Sequence, residues 1–349
     1  MMDNRINQRT KYNNSNEHNM QKSLNTLALT LGVSLVAAVT VRAQTASESF
    51  NYGTGAGIGT QAVPGSGAFG WLPQVASVNA NLGYWNSKAD PNPTTEVQAT
   101  SMTYAGLNTS GGSLISAGGA TSGNSIPEIM LGTGVTFGSL GAANGNTLWV
   151  SYLWQGLETP SSAAGLFRQS TVMFLGGATT ASGSGQERLD IGTPNISAAN
   201  SGTVNPNISL WSVNGIAGGN GTLSSTAPLQ SSVATYAATS FILIKFSLDN
   251  VITSADTISV WINPTLTGAE PVGAADLTWT TQDWSALNGI RISSNAGNAT
   301  TGNVGGSEQI DELNIGNTVA SVEAVPEPGT LAMAAIGGVA MMALIRRRK

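Results

Sequence analysis

The chain has 349 residues, of which only 9% are charged, with 43 glycines, no cysteine and a single histidine, His18. So low a charge, against about a quarter in ordinary globular proteins, fits a turn-rich exported β protein better than a helical cytoplasmic enzyme. Without cysteine there is no disulfide framework and no thiolate metal site, and beyond position 18 there is no histidine for Ser-His-Asp or Cys-His catalysis, His-ligated zinc or facial-triad iron.

Residues 1–22 are polar and rich in asparagine, and an apolar run follows over 24–41. It ends Val41-Arg42-Ala43 before Gln44, with small residues at the two positions a signal peptidase reads. Residues 1–43 therefore read as a secretory signal helix cut between Ala43 and Gln44 and handed to the translocon. Starting at Met20 instead of Met1 gives a signal of ordinary length. The alternative is an uncleaved N-terminal anchor, and the Ala43-Gln44 junction favours cleavage.

Residues 44–322 read as one β-sandwich domain. It carries five basic residues (Lys88, Arg168, Arg188, Lys245 and Arg291) against 16 acidic ones up to position 323, a net charge near −11. Such a body repels phosphates, so no nucleic acid partner is expected. Its first hundred residues are weakly patterned. Gly53-Thr-Gly-Ala-Gly-Ile-Gly59 lacks the strand and helix of a dinucleotide fingerprint. Phe50-Asn-Tyr52 is expected to open a first strand that pairs near the last. Trp71 and Trp85 read as core anchors rather than a sugar-stacking platform, and Asp90-Pro-Asn-Pro93 is a turn.

From residue 147 short apolar and β-branched runs succeed one another: 147–154, 170–175, 187–191 and 208–213. In 241–248, Ile244, Phe246 and Leu248 share one face while Lys245 and Ser247 share the other. Asp249-Asn250 turns the chain. The next run, 256–263, puts Ile258, Val260 and Ile262 inward, and Pro264 stops it. Runs at 289–294 and 309–315 follow. Many short alternating strands without a long helical period predict an all-β, antiparallel sandwich. The order of the late segments, closing on Asp311-Glu-Leu-Asn-Ile-Gly316, resembles the second half of concanavalin A-like, laminin-G-like jelly rolls. That resemblance implies two curved sheets and a face that holds glycans, with exposed tryptophans as the platform.

A glycoside hydrolase needs two carboxyls facing one sugar. Asp311 and Glu312 are adjacent and face opposite sides of a regular strand, and Glu187 and Asp190 differ by an odd number. The expected catalytic set is therefore none, with a secreted glycosidase as the alternative. Of Asp311 and Glu312, one is expected to accept backbone N–H bonds and the other to be solvated. Asparagine-rich loops at 200–207 and 295–298 read as turns. The expected metal set is also none; calcium on Asp and Asn oxygens is a weak option without EF-hand spacing.

The last 25 residues have three parts. Val325, Pro326, Glu327 and Pro328 form a short extended motif. An uncharged, apolar run over 331–345 follows, about 22 Å as a helix against roughly 30 Å of hydrocarbon. Arg346, Arg347, Arg348 and Lys349 end the chain as a basic tip that stays on the cytoplasmic side. The run has no polar stripe, which weighs against a soluble core helix and for a short transmembrane helix. The order of parts over 325–349 resembles the PEP-CTERM sorting tail of Gram-negative bacteria. The resemblance implies recognition by an exosortase, processing near the motif, membrane anchorage beforehand, and release to the surface or matrix of exopolysaccharide- and biofilm-forming cells. Three functions follow in order: an exported, non-catalytic jelly roll that binds polysaccharide; a secreted glycosidase; and a structural or adhesive surface protein.

Overall fold

The computed structural model describes residues 44–50, 86–87, 94–107, 109, 111–118, 127–131, 135–142, 145–157, 170–176, 187–193, 207–212, 229–234, 238–249, 255–294 and 306–323. All lie in the unit that begins at Ala43. The signal segment 1–43, the glycine run 53–59, Trp71, Trp85, the turn at 90–93 and the tail 324–349 fall outside them. No helix among the described residues is long and apolar enough to cross a membrane.

The described chain builds two antiparallel sheets packed face to face, the double-sheet arrangement of a jelly roll. The eight-stranded sheet runs β13 (Leu277–Gln282), β12 (Asp256–Ile262), β11 (Ser240–Ser247), β6 (Thr147–Gly156), β15 (Ser307–Gly316), β4 (Ser113–Ala117) and β3 (Thr94–Gln98), with β1 (Gln44–Glu48) also on β15. The seven-stranded sheet runs β10 (Leu229–Ala234), β9 (Asn207–Ser212), β8 (Glu187–Thr193), β7 (Ser170–Gly176), β14 (Leu287–Ser294), β5 (Pro127–Met130) and β2 (Asn86–Ser87). Two short helices, α1 (Phe137–Ala142) and α2 (Val319–Glu323), complete the described elements.

Alternation dictates the core. Val150, Tyr152 and Trp154 of β6, Ile244 and Phe246 of β11, and Ile258, Val260 and Ile262 of β12 point between the sheets, where they meet Val172, Phe174, Ile290 and Ile292 of the other sheet. The faces expected for 244–248 and 256–262 are those observed. Phe137 at the start of α1 plugs one end, with its ring edge-on to Phe174 at 5.9 Å and to Phe246 at 5.0 Å. The outer face of the eight-stranded sheet is also covered. Trp149, Leu153, Phe241, Leu243 and Trp261 pack there with Met102 and with Val319 and Val322 of α2. That second layer explains why β6 is apolar on both faces, a pattern of strands buried on both sides.

The N-terminal strand does pair with the last one, but it does not open at Phe50. β1 begins at Gln44, opposite Gly316, and ends at Glu48. The Glu48 carboxylate accepts the Phe50 N–H at 2.7 Å, and Phe50 takes a left-handed φ of 49° with its ring fully buried. A local side chain to backbone bond of this kind ends a strand.

β4 and β1 share one edge of β15, pairing with Ser307–Ile310 and Leu313–Gly316 respectively. Between them β15 bulges: its register against β6 shifts between Asp311 and Asn314, and Glu312 has φ 49°. Another close approach is at Gly192, where φ is 148° and an added Cβ would overlap the Ser170 carbonyl oxygen. Gly192→Ala is expected to cost about 3 kcal/mol, read as a lowered urea midpoint; an unchanged midpoint would show that β7 and β8 can part there without cost.

Candidate functional site

A row of chemically distinct residues crosses the seven-stranded sheet at matched register. Arg291 of β14 pairs with Met173 of β7, and Met173 with Asp190 of β8. The row continues to Glu128 of β5 on one side and to Trp211 of β9 on the other. The residues that flank these centres, Ile290 and Ile292, Val172 and Phe174, Leu189 and Ile191, all lie in the inter-sheet core. Alternation therefore sends Arg291, Met173 and Asp190 to the outer face. Adjacent strands are about 4.8 Å apart, so the guanidinium and carboxylate carriers stand about 10 Å apart across Met173. Both charged residues are buried, Arg291 at 5% exposure and Asp190 at 0%. In a body with five basic residues, a buried arginine in the middle of a sheet is held by the fold rather than placed for solubility. The sequence signal for the row was a charge set between two aliphatic residues in Ile290-Arg-Ile292 and Leu189-Asp-Ile191.

The acidic residues of β15 do something else. Glu308 points between the sheets. Its Oε2 accepts the Trp154 indole N–H at 2.6 Å and its Oε1 accepts the Ser294 hydroxyl at 3.2 Å. Ser294 belongs to the opposite sheet, so Glu308 ties the two layers together. Burial pushes its carboxyl up to about 8, against the pull of the Trp154, Ser294 and Thr171 donors, which favour the anion. Asp311 leaves the strand on the other side. Its Oδ2 accepts the Ser101 hydroxyl and the Met102 N–H, the latter at 2.7 Å, and its Oδ1 accepts the Glu312 N–H at 2.8 Å. Burial, and then the neighbouring Glu312 charge, push this carboxyl up to about 8, while the three donors oppose. Asp311 thus pins the segment 101–107 over the outer apolar layer.

The expectation that one carboxylate of the adjacent pair takes backbone N–H bonds is met by Asp311. The expectation that Glu312 is solvated is not, since Glu312 is 2% exposed. A regular strand would already give Glu312 the inward face it shares with Ile310, and the bulge at Glu312 then shifts the alternation so that Leu313 and Ile315 enter the core. Glu308 and Asp311 lie on opposite sides of β15, so this pair does not face one sugar. Among the described residues no group of three His, Cys, Asp or Glu side chains is gathered as a metal ion would require. Of the residues expected to direct export and sorting, Gln44 is the first residue of β1; Ala43, Val325 to Pro328 and Arg346 to Lys349 lie outside the described residues.

Residues 324–349 match the PEP-CTERM protein-sorting motif, so the chain carries that motif at its C-terminus. The motif implies export by way of an exosortase and a surface or extracellular destination. No curated protein matches the chain. Among solved structures, the chain is similar to endo-beta-1,4-glucuronan lyase from the fungus Trichoderma reesei, with 13% identity, 68% of this chain and 93% of that one covered, and a TM-score of 0.42. It is similar to a mutant of alginate lyase Aly36B in complex with alginate tetrasaccharide, at 14% identity, 78% and 97% coverage and a TM-score of 0.40. A third is the metal-free carbohydrate recognition domain of Emp46p, at 8% identity, 65% and 88% coverage and a TM-score of 0.35.

Proposed function

We propose that this is an exported cell-surface or matrix protein, delivered by an N-terminal signal and sorted by an exosortase through its C-terminal tail. Its sandwich is non-catalytic and binds polysaccharide. The match of residues 324–349 to the sorting motif carries the reading. The opposed placement of Glu308 and Asp311 favours binding over hydrolysis by this pair.

The test joins glycan-array binding to a reducing-sugar assay on the secreted protein. Binding without new reducing ends is expected. Turnover that a carboxylate substitution abolishes would make the protein a glycosidase. Neither binding nor turnover would leave a structural or adhesive role.

A further inference from the structure

The last described helix, α2, ends at Glu323, next to the first residue of the sorting match. After β15 the chain reverses at Asn317-Thr318, and α2 lies back on the outer face of the eight-stranded sheet. A helix of five residues does not hold itself, so its anchors are tertiary. Val319 and Val322 are buried in the outer apolar layer beside Trp149 and Leu153. The Ser151 hydroxyl donates to the Val322 carbonyl at 2.6 Å. The Gly268 N–H donates to Glu323 Oε2 at 2.5 Å, which ties the last helical residue to the β12–β13 connection. At the start of the helix, the Ser321 N–H donates to Thr318 Oγ1 and the Ser321 hydroxyl to the Thr318 carbonyl.

The sorting match begins at residue 324, directly after buried Glu323. The eight steps from Glu323 to Leu331, where the apolar run starts, span at most about 28 Å when fully extended. A residue locked in a docked helix cannot at the same time lie extended in an enzyme's cleft. We propose that α2 is a clasp: docked on the sheet, it holds the flank of the sorting motif against the body and withholds it from the exosortase, and processing proceeds from the undocked state. The observed rate is then the intrinsic rate scaled by the undocked fraction. This inference rests on the sorting reading given above.

A crosslink tests it. A Cβ added at Gly268 would sit 3.4 Å from the Ala320 Cβ, within reach of a disulfide, and the chain has no cysteine of its own to interfere. The full-length pair Gly268→Cys with Ala320→Cys is expressed with an exosortase, exported to the oxidising periplasm, and followed by pulse-chase and mass of the product. The oxidised pair is expected to be processed at least tenfold more slowly than wild type, with reductant relieving the block and Ala320→Cys alone matching wild type; Gly268, at φ 71°, is not used as a single-variant control. A second variant decides the matter independently of crosslinking. In Gly316→Ala the new Cβ would press on the Ser321 side chain, whose Cβ lies 3.1 Å away. It loosens α2, and processing is expected to quicken severalfold. A crosslinked protein processed at the wild-type rate, or a Gly316→Ala protein that is no faster, overturns the clasp. If wild type is not processed at all, and Pro326→Ala with Pro328→Ala changes nothing, the sorting reading itself fails and the clasp with it.

Discussion

Asp311→Ala is expected to lower the stability of the body by about 4 kcal/mol. The substitution removes the acceptor of three donors at once: the Ser101 hydroxyl, the Met102 N–H and the Glu312 N–H. The carboxylate and the latter two groups are buried, and a buried donor left without an acceptor costs about 1–3 kcal/mol. The loss also frees the segment 101–107, so Met102 leaves the outer layer and Trp149 and Leu153 become partly wet. Asp311→Asn keeps one acceptor oxygen and should cost about half as much. In a body of this size the alanine variant should melt about 10 °C lower, and protease should cut first between residues 99 and 107. An alanine variant within 1 kcal/mol of wild type would show that the bulge holds without its carboxylate.

Stability should fall as pH rises from 5 to 9. Glu308 and Asp311 are both pushed up to about 8, chiefly by burial, from usual values of 4.5 and 3.8. A carboxyl with a raised value in the folded state binds more protons there than in the unfolded chain. Its contribution is therefore complete below the unfolded value and is lost as pH climbs through the folded one, with little change above about 9. The two groups together amount to several kcal/mol, or a melting temperature about 10 °C lower at pH 9 than at pH 5. Glu308→Gln mimics the neutral acid, and its oxygen can still accept from Trp154 or Ser294. This variant should lose about half of the pH dependence and melt about 5 °C above wild type at pH 9. Parallel curves for the two proteins would mean that Glu308 stays ionised inside the sandwich.

The strands at the centre of the two sheets were legible because they bury apolar side chains over several consecutive alternations. Ile244 with Phe246, and Ile258 with Val260 and Ile262, announce both the strand and its inward face. The strands at or beside the margins were not. β3 puts only Val97 into the core, β4 only Leu114 and β1 only Ala46, since an edge strand needs little apolar surface. The bulge at Asp311 and Glu312 was hidden for another reason. Ile310-Asp-Glu-Leu313 reads locally as part of a strand, and what breaks its register is the change of partner from β4 to β1, which a local pattern does not carry. The row through Arg291, Met173 and Asp190 joins positions up to 118 residues apart. Each charge can be noticed alone, but only the strand order puts them side by side. The sorting motif over 324–349, by contrast, was legible because its parts are contiguous in the sequence and do not depend on the fold.

Intact mass spectrometry of the protein from cytosol, membrane and medium tests the export and sorting reading most directly, because it defines both ends of the product at once. The expected species in the membrane and medium begins at Gln44, and in the presence of an exosortase its C-terminus falls near Val325 to Pro328. A full-length product that keeps residues 331–349 and accumulates as a free species in the cytosol would contradict it.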